Sequence, residues 1–251
     1  NILKKYSKNI MLIENKKNLG YSVANNQGAK LANGEFLFFL NPDSMMTENT
    51  LKILISIFQN KPNVGIAAPT IIDNNNDLQI STGGNPNFFT IIYELFGLYL
   101  FLPKNLFGYR YLNFDKECNI IDGWVSGSCF LIKKDIFIKL KGFDENFFLY
   151  LEDTDLCLRL RSLFGMNIFY TNETSVIHLS GKSSSGNSFL SKLSSYKSKL
   201  YFYKKHKSYI LYFILIPISY VAIIFKIIAL ILSRKSKEEI MSQCRVLFHL
   251  V

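Results

Sequence analysis

The first half of the chain alternates short apolar runs with amphipathic segments. The run from Glu35 to Leu40 is apolar after its first residue, as in a central strand that is covered on both faces. The run stops at a turn, a helix capped near Thr47 follows, and Val64–Ala68 is a second buried strand. Strands and helices of these lengths in alternation predict a doubly wound α/β sheet.

The same pattern predicts the remaining elements. Leu156, Leu160 and Leu163 share one face of a further helix, and Gly165 ends it. The apolar segment from Phe88 to Leu102 is too short to cross a bilayer comfortably, so we expect a buried or interfacial helix there. The other expected elements are strands at Ile10–Ile13 and Gly127–Ile132, helices at Ser22–Leu31 and Asp135–Leu140, and a hairpin tip at Asp73–Asp77.

The C-terminal segment is more hydrophobic than the rest of the chain. From Tyr209 to Leu232 every residue except Pro217, Ser219 and Lys226 is apolar or aromatic. As one helix this segment would be about 36 Å long, enough to cross a hydrocarbon core of about 30 Å. The lysine, the proline and the basic flanks at both ends argue against spanning. A spanning helix, an in-plane or re-entrant helix pair and a buried helix of a soluble core all stay open, and membrane attachment is favoured.

Composition narrows the classes of partner. The net charge is +10 over 251 residues, and such a balance suits an anionic lipid surface or a nucleotide diphosphate. No RNA- or DNA-binding motif accompanies this charge, so we expect no nucleic-acid partner. The four cysteines have no metal-site spacing and are expected to be buried free thiols in a reducing compartment; they are Cys118, Cys129, Cys157 and Cys244.

Candidate chemistry is concentrated in an acidic segment. Residues 142–157 read GFDENFFLYLEDTDLC, so that five carboxylates fall within twelve positions among aromatic side chains. Desolvation and mutual repulsion in such a place raise the pKa of a carboxylate towards that of a working base. Carboxylates are also common at helix N-termini, and a solvated acidic loop that caps a helix is the alternative.

A second acidic signal lies upstream. Asp43 follows a buried strand, where open α/β sheets bind ligands, although an aspartate after proline is also a common turn former. One aspartate, water and a diphosphate are sufficient oxygen ligands for Mg²⁺ or Mn²⁺. His178 follows another apolar run, either as a third ligand or as a hydrogen-bonded structural residue, with Lys182 and Ser183 close by to approach phosphate.

These signals occur in a familiar order along the chain. They are Asn18-Leu19-Gly20-Tyr21 with Asn26 and Gly28, Gly34-Glu35, Leu40-Asn41-Pro42-Asp43, Gly127, Gly142-Phe143-Asp144-Glu145, Phe148, Glu152-Asp153, Asp155-Leu156, Arg159 and His178. In order and spacing the chain closely resembles the family 2 inverting glycosyltransferases, especially the bacterial rhamnosyltransferase-like branch, over roughly residues 10–185. The resemblance implies a GT-A fold, which is a Rossmann-like, mostly parallel sheet with helices on both faces. An apolar helical, membrane-associated tail would follow it.

The resemblance also implies a reaction. It implies a nucleotide-sugar donor, a divalent metal (Mg²⁺ or Mn²⁺) and an acceptor hydroxyl. Asn41-Pro42-Asp43 stands where the family has an Asp-x-Asp motif, so Asp43 would carry the metal together with His178, and Asn41 would be a neutral neighbour. Asp153 would be the general base that takes the acceptor proton. Glu152 would contact the acceptor or tune Asp153.

Seven positions are expected to bind donor or acceptor: Asn18, Gly20, Asn26, Asn41, Trp124, Gly127 and Asp155. Trp124, the only tryptophan in the sequence, would offer a sugar-stacking face, with an ordinary core tryptophan as the alternative. Asp155 could equally cap its helix. The branch points to rhamnose from dTDP-rhamnose, with UDP-hexoses as the next candidates.

One departure from the family affects the domain assignment. The opening strand of the family, and the helix and strand after it, hold the nucleotide base and ribose and have no counterpart in this sequence. We therefore expect residues 1–200 to form an N-terminally truncated GT-A domain. Residues 201–251 would be a hydrophobic segment associated with the cytoplasmic face of the bacterial inner membrane.

Three functions follow from these expectations. The first is inverting transfer of a sugar to a hydroxyl of a lipid-linked or growing surface polysaccharide at the membrane. The second is a truncated, non-catalytic remnant that binds the membrane or a partner protein. The third, a metal-dependent nucleotidyltransferase, would share the sheet and the metal but would not need the acidic segment.

Overall fold

The computed structural model describes residues 10–102, 119–179 and 188–250. The strands are β1 (Phe36–Leu40), β2 (Ser44–Met46), β3 (Val64–Ile72), β4 (Thr82–Gly84), β5 (Asn119–Ile121), β6 (Gly123–Val125), β7 (Cys129–Lys133) and β8 (Asn167–His178). The helices are α1 (Tyr21–Leu31), α2 (Thr50–Asn60), α3 (Phe88–Leu95), α4 (Lys134–Lys139), α5 (Glu152–Phe164), α6 (Ser188–His206), α7 (Tyr209–Leu232) and α8 (Lys237–His249). A 3-10 turn at Leu98–Leu100 follows α3.

The main sheet has strand order β1-β7-β3-β8-β2, and β5 pairs with β8 as well. β1, β3 and β8 point in one direction, as the alternation of strands and helices predicts. However, β7 is inserted between β1 and β3 in the opposite direction, and β2 and β5 also run antiparallel to β8. Among the ladders of the described main sheet, β3–β8 alone is parallel. The expectation of mostly parallel pairing is therefore wrong, because an apolar run in the sequence indicates that a strand is buried and not in which direction it runs beside its neighbours.

Helices cover both faces of this sheet. Side chains alternate across a strand, so Leu37 and Phe39 of β1 pack in a cluster with α1, α4 and α5, whereas Phe36 and Phe38 pack against α2. The expected burial of this strand on both faces is confirmed. Its expected central position is wrong, because β1 ends the strand order of the sheet as far as the structure describes it.

Two other local expectations are wrong. Ile10–Ile13 has exposed side chains and forms no ladder with any described strand. The segment from Phe88 to Leu102 is not one helix, because α3 ends at Leu95 and Gly97 adopts a left-handed conformation before the 3-10 turn. The hairpin tip expected at Asp73–Asp77 is confirmed, since Ile72 and Leu78, the residues on either side of it, form an antiparallel β-bridge.

Two expectations about burial also need correction. Leu163 is 66% exposed and does not share the buried face of α5 with Leu156 and Leu160. Cys129 and Cys157 are buried free thiols, as expected, but Cys244 is partly exposed. Cys118 lies outside the described residues.

The C-terminal helices pack together with α3. We call α3, α6, α7 and α8 the helical bundle, because their buried apolar side chains form one cluster. Phe147 and Leu151 of the acidic segment enter the same cluster, which joins the bundle to the α/β region. Helix α6 runs without interruption from Ser188 to His206. It therefore crosses the domain boundary that the sequence suggested at residue 200.

Helix α7 presents an apolar surface to the outside. The helix is long and apolar enough to cross a membrane by length and composition. Its fully buried residues, such as Ala222 and Ile223, face the bundle. At 3.6 residues per turn, the exposed large apolar side chains after Tyr209, the first residue of the helix, fall in one arc of about 120° on the opposite side. We call this set the outer face of α7: Ile210, Phe213, Ile214, Val221, Ile224, Phe225, Ile228, Ile231 and Leu232. Lys226 lies outside this arc, with Nζ 5.3 Å from the ring centre of Tyr196 in α6.

Candidate active site

Asp153 lies in the first turn of α5, on the wall of a cavity. Its Oδ2 accepts a hydrogen bond of 2.8 Å from the backbone N–H of Gly127, and its Oδ1 accepts one of 2.6 Å from the N–H of Thr154. Burial raises the pKa of Asp153 above its usual value, although these hydrogen bonds favour the ionised form. The carboxylate is therefore fixed in orientation and more basic than an exposed aspartate.

The backbone just before α5 is strained. Tyr150 and Leu151 have consecutive positive φ angles of 72° and 67°. For a residue with a side chain this conformation costs roughly 1–2 kcal/mol. The two strained residues come directly before α5. Their backbone conformation determines where the helix begins and therefore where Asp153 lies.

Glu152 is a second buried carboxyl group in the same cavity. It is 4% exposed, and its Oε2 has no hydrogen-bond partner among the described residues. Burial and the neighbouring Asp153 raise the pKa of Glu152 well above its usual value. A buried carboxyl oxygen without a protein partner has an unused hydrogen-bonding site, which a ligand in the cavity would satisfy.

Tyr21 supports the loop that holds Asp153, a contact that the sequence did not reveal. Its hydroxyl donates a hydrogen bond of 2.6 Å to the carbonyl oxygen of Gly127. A Cβ at Gly127 would lie 3.0 Å from that hydroxyl oxygen, which leaves little room for a side chain. Burial and the nearby acids Glu152 and Asp153 raise the pKa of Tyr21 well above its usual value, so the hydroxyl stays a neutral donor.

Three of the expected ligand-binding residues lie at or beside contacts with the acidic segment, and their predicted roles stay predictions. Asn26 exchanges two hydrogen bonds of 2.9 Å with the backbone of Phe143. Gly20 has φ +86°, and a Cβ there would lie 2.4 Å from the carbonyl oxygen of Phe148. Asn18 accepts a hydrogen bond of 3.0 Å from the N–H of Gly20 and shapes the same turn. None of the three is among the described residues that line the cavity.

Asp43 and His178 are in contact at the other acidic signal. Because Ser44 of β2 pairs with His178 of β8, the Oδ1 of Asp43 lies 3.3 Å from the Nε2 of His178. The Nδ1 of His178 lies 3.0 Å from the Oε1 of Gln79, and the tautomer protonated on Nδ1 keeps a lone pair on Nε2. Two ligands of an octahedral cation, each about 2.1 Å from it, are about 3 Å apart, so this pair fits Mg²⁺ or Mn²⁺. In the described ranges no group of three or more His, Cys, Asp or Glu side chains is arranged to hold a metal.

Asp43 and Asp153 lie at the same end of the sheet. Asp43 belongs to the loop after β1, and Gly127, which binds Asp153, belongs to the loop before β7. The two strands are paired, and the N–H of Asn41 donates a hydrogen bond of 2.9 Å to the carbonyl oxygen of Ser128. The two loops are thus directly joined, which places the two acidic signals at one end of the sheet. Neither Asp43 nor His178 is among the described residues that line the cavity.

A cavity of about 980 Å³ opens between this end of the sheet and the helical bundle. Five of the expected site residues are in its described lining: Asn41, Trp124, Gly127, Glu152 and Asp153. Its volume lies at the upper end of the range of small-molecule sites. The cavity is therefore large enough for a ligand of small-molecule size beside these side chains.

Asp155 is not part of the described cavity lining. It is fully buried, where its Oδ2 accepts a hydrogen bond of 2.8 Å from Arg159. Its Oδ1 lies 2.6 Å from both Lys205 Nζ and His206 Nε2 of α6. Burial opposes ionisation of Asp155, but the hydrogen bond from His206 and the charges of Arg159 and Lys205 outweigh it and lower its pKa. Its position makes Asp155 an ion-pair centre between α5 and the bundle rather than a contact for a cavity ligand.

Three lysines of the bundle also line the cavity and were missed by the sequence analysis. Lys192 and Lys199 lie on α6, and Lys226 lies on α7. Lys192 and Lys199 are seven positions apart, about two helical turns, so the sequence did carry a signal that they share a face. Nothing in the local sequence connects them with Lys226. The expected phosphate contacts Lys182 and Ser183 lie outside the described residues.

The sequence is similar to those of known glycosyltransferases. Residues 1–141, more than half of the chain, match the family described as Glycosyl transferase family 2. Rhamnosyltransferase WbbL of Escherichia coli (strain K12) is 28% identical over 151 residues, which are 59% of this chain and 53% of that protein. The N-acetylglucosaminyl-diphospho-decaprenol L-rhamnosyltransferase of Mycobacterium tuberculosis (strain ATCC 25618 / H37Rv) is 27% identical over 184 residues, 68% of this chain and 59% of that protein. The chain thus spans little more than half the length of these relatives.

A solved structure gives the fold. The mannosyltransferase PcManGT from Pyrobaculum calidifontis, in complex with GDP-Man and Mn²⁺, matches with a TM-score of 0.50 and 12% identity over 81% of this chain and 49% of that one. At this identity the likeness concerns the fold alone. It confirms the GT-A class of α/β fold, and the relatives confirm the likeness to the rhamnosyltransferase-like branch. The chain belongs to glycosyl transferase family 2.

Proposed function

We propose that this protein transfers a sugar from a nucleotide-diphosphate donor to a hydroxyl group of a lipid-linked glycan, with inversion at the anomeric carbon. Family membership supports glycosyl transfer, and the names of the relatives support rhamnose as the sugar and a lipid-linked acceptor. The observation that carries the proposal is the carboxylate of Asp153, with its raised pKa, held by Gly127 on the wall of a large cavity.

Asp153 acts as the general base. Its carboxylate takes the proton of the acceptor hydroxyl while that oxygen attacks the anomeric carbon from the face opposite the diphosphate. The new carbon–oxygen bond forms as the bond to the diphosphate oxygen breaks, and the nucleoside diphosphate leaves with the electron pair. A single displacement of this kind inverts the anomeric configuration. The Gly127 N–H and the Thr154 N–H hold the carboxylate in one orientation for the transfer.

Glu152 and Trp124 position the acceptor. The unpartnered Oε2 of Glu152 binds a second acceptor hydroxyl, which satisfies a group that is otherwise buried without a hydrogen bond. Trp124 lies on the same cavity wall and provides an apolar face for a sugar ring. Both residues orient the attacking hydroxyl towards Asp153.

Asp43 and His178 would hold Mg²⁺ or Mn²⁺ on the donor side. Bound there, the cation would neutralise charge on the leaving diphosphate. Gln79 fixes the ring of His178 through Nδ1, as residues around metal ligands commonly do. Asn41, in the cavity wall near this pair, donates side-chain hydrogen bonds to the donor phosphates without adding a negative charge.

We further propose that the protein lies on the membrane surface with the outer face of α7 in the lipid. The C-terminal part of α7, including Phe225 and Leu230, lines the cavity that contains Asp153. If α7 crossed the bilayer, it would carry this polar cavity into the hydrocarbon core, which is unfavourable. A helix in the membrane plane buries the outer face without that penalty.

The charge around α7 suits an anionic membrane. Lys204 and Lys207 are exposed before the helix, and Arg234 and Lys235 are exposed after it. Basic residues beside an apolar helix face are attracted to anionic headgroups by about 1 kcal/mol each. We therefore propose the cytoplasmic face of the inner membrane as the location, where the donor would also be available.

A transfer assay tests the proposal. The full chain is incubated with lipid-linked acceptors and with dTDP-rhamnose or UDP-hexoses, in the presence of Mg²⁺, Mn²⁺ or EDTA, and nucleoside diphosphate release is measured. At least one donor should be consumed in a cation-dependent reaction that Asp153→Asn abolishes. Failure with every donor, while vesicle binding is intact, would instead support the non-catalytic, membrane-binding alternative.

A further inference from the structure

The cavity is shared between two regions of different character. Its α/β part carries Asp153, Glu152 and Trp124, and its other part is formed by the helical bundle. The bundle part contains apolar side chains such as Phe225 and Leu230, together with the lysines of α6 and α7. Phe225 also belongs to the outer face of α7. The cavity therefore extends from the proposed base to the edge of the surface that would contact lipid.

The positive charge in the bundle part exceeds the negative charge. Lys192, Lys199 and Lys226 line this part, and Glu94 of α3 is the acid beside them, with its Oε2 3.4 Å from Lys199 Nζ. The side chains of Lys199 and Glu94 are 14% and 8% exposed. Lys235 and Glu239, also in the lining, balance each other formally. The described lining of the bundle part thus carries four lysines and two glutamates, which leaves an excess of two positive charges.

These lysines are held close together by packing. Lys226 lies beside Tyr196 of α6, which is one turn before Lys199 and on the same side of the helix as Lys192. Burial, followed by repulsion from Lys199 and Lys192, lowers the pKa of Lys226 to about 8. Cations that are partly buried and repel one another are stabilised when an anion binds between them.

We propose that Lys192, Lys199 and Lys226 form a binding subsite for the diphosphate of a lipid-borne acceptor, between the proposed base and the membrane. This inference rests on the proposed function, because it assigns the acceptor side of the same cavity. The sugar of the acceptor reaches Asp153, its diphosphate lies among the three lysines, and its lipid leaves past Phe225 to the outer face of α7. Lys226 thus serves the cavity rather than interrupting an apolar helix.

Glu94 has a regulating position in this subsite. It neutralises part of the lysine charge when no ligand is present, and it repels an incoming diphosphate. Removal of its charge should therefore strengthen diphosphate binding, whereas removal of a lysine charge should weaken it. A substitution that only unfolds the protein would weaken diphosphate binding at either position. Stronger binding without the Glu94 charge and weaker binding without a lysine charge would therefore report the charge of the subsite.

The test is a binding measurement that does not need the acceptor sugar. Farnesyl diphosphate is titrated into the full chain in detergent with EDTA, so that no cation is present for the Asp43–His178 pair. Binding is followed by the fluorescence of Trp124, the only tryptophan of the sequence, which lines the cavity. We expect Lys199→Met and Lys226→Met to weaken binding at least tenfold and Lys226→Arg to restore most of it. Lys197→Met, on the exposed side of α6, should leave binding unchanged.

Further ligands identify the recognised group. Inorganic pyrophosphate should show the same dependence on the lysines, and the affinity of farnesol should not depend on them. Glu94→Gln should bind farnesyl diphosphate several-fold more tightly than the wild type. The proposal is overturned if the Met variants bind within twofold of the wild type, or if Glu94→Gln weakens binding as they do. Weaker binding of Lys226→Met to phosphatidylglycerol vesicles would also overturn it, because the lysine would then contact membrane headgroups.

The outcome is separable from that of the transfer assay. If the lysine variants lose farnesyl diphosphate binding while no nucleotide sugar is consumed, the subsite stands and glycosyl transfer is refuted. If transfer occurs to a lipid-diphosphate acceptor and the lysine variants transfer as well as the wild type, the subsite alone is refuted.

Discussion

The α/β region and the helical bundle hold their polar groups by different means. In the α/β region backbone hydrogen bonds fix the side chains, as the Gly127 N–H fixes Asp153 and the β2–β8 pairing fixes Asp43 against His178. In the bundle, apolar packing holds Lys226 beside an aromatic ring. The first arrangement gives precise orientation, which a proton transfer needs, and the second tolerates ligands of variable shape, as a lipid carrier would be.

An ion-pair network joins the two regions. Lys205 of α6 lies 2.6 Å from both Asp144 and Asp155, which come from the acidic segment. Hydrogen bonds from Lys205, Asn146 and Tyr201 overcome the effect of partial burial and lower the pKa of Asp144 to about 2. The segment that carries the proposed base is thus attached to the helices that carry the proposed membrane surface.

The largest effect is expected from a substitution that removes the proposed base from the α/β region and leaves the helical bundle unchanged. Asp153→Asn should lower kcat by about 10³-fold, because an amide cannot accept the acceptor proton and a general base contributes roughly 10²–10⁴-fold. The measurement is the initial rate of nucleoside diphosphate release in the presence of acceptor. Asp135→Asn, on the exposed surface of α4, is the matched control and should keep the wild-type rate. A rate for Asp153→Asn within tenfold of the wild type would contradict the assignment.

The next largest effect is expected from a substitution that breaks the ion-pair network between the α/β region and the helical bundle. Lys205→Met should lower the free energy of unfolding by about 3 kcal/mol, because it removes the cation that the two carboxylates share and leaves Asp144 with neutral hydrogen-bond donors only. Lys139→Met removes an ion pair whose side chains are 58% and 60% exposed, and should change stability by less than about 1 kcal/mol. Chemical denaturation in detergent at pH 7 measures both.

The pH dependence of this difference has a defined sign. The pKa values of Asp144 and Asp155 are lowered in the folded state, so their contribution is complete above the unfolded value near 4. It should be lost as the pH falls towards 2. A difference between the two lysine variants that is absent at pH 7, or that grows on acidification, would contradict the role of the network.

A third change acts on the bundle alone. The double variant Ile224→Ser, Ile228→Ser removes two side chains of the outer face of α7 and should weaken binding to anionic vesicles about 100-fold, at roughly 1.4 kcal/mol for each side chain. Vesicle sedimentation measures the partition. Leu163→Ser, which removes an exposed leucine of α5 outside that face, should bind as the wild type does. Equal losses in the two variants would show that α7 is not the docking surface.

The smallest expected effect is a shift in pH dependence. Because burial raises the pKa of Asp153 above 3.8, the ionised base should be lost at a higher pH than for an exposed aspartate. The value of kcat/KM should therefore fall when the pH decreases below the raised pKa of Asp153. The midpoint of the acidic limb measures it, with thermal unfolding followed over the same range as control. A midpoint at or below 3.8 would contradict the environment described for Asp153.

The sequence predicted the positions of individual helices and strands better than it predicted which elements lie beside each other in the fold. Helices α1, α2, α4 and α5 lie within a few residues of where apolar spacing predicted them, because that signal is local. The predicted cap near Thr47 is wrong, since α2 begins at Thr50 after Asn49. The insertion of β7 in the opposite direction was not predictable, because an apolar run indicates burial and not the direction of its neighbours. The apolar run after Phe88 likewise gave no sign that α3 ends at Leu95, just before Gly97.

The candidate site was predictable only where a motif matched. Family motifs pointed to Asp43, His178 and Asp153, and the structure brings the first two into contact; their roles stay predictions. The motif gave Asp155 a binding role, yet two of its three described partners, Lys205 and His206, come from α6, far along the chain. The hydrogen bond from Tyr21 to Gly127 was hidden for the same reason, since the two residues are 106 positions apart.

The central claim is that one cavity joins a base in the α/β region to a membrane surface on the bundle. The most direct test measures transfer to the same acceptor, either embedded in vesicles or dispersed in detergent, for three proteins. Wild type should use both forms, Asp153→Asn should use neither, and the double α7 variant should lose at least tenfold with vesicles while keeping its rate in detergent. Activity of Asp153→Asn on either form, or equal loss of the double variant on both, would contradict the account.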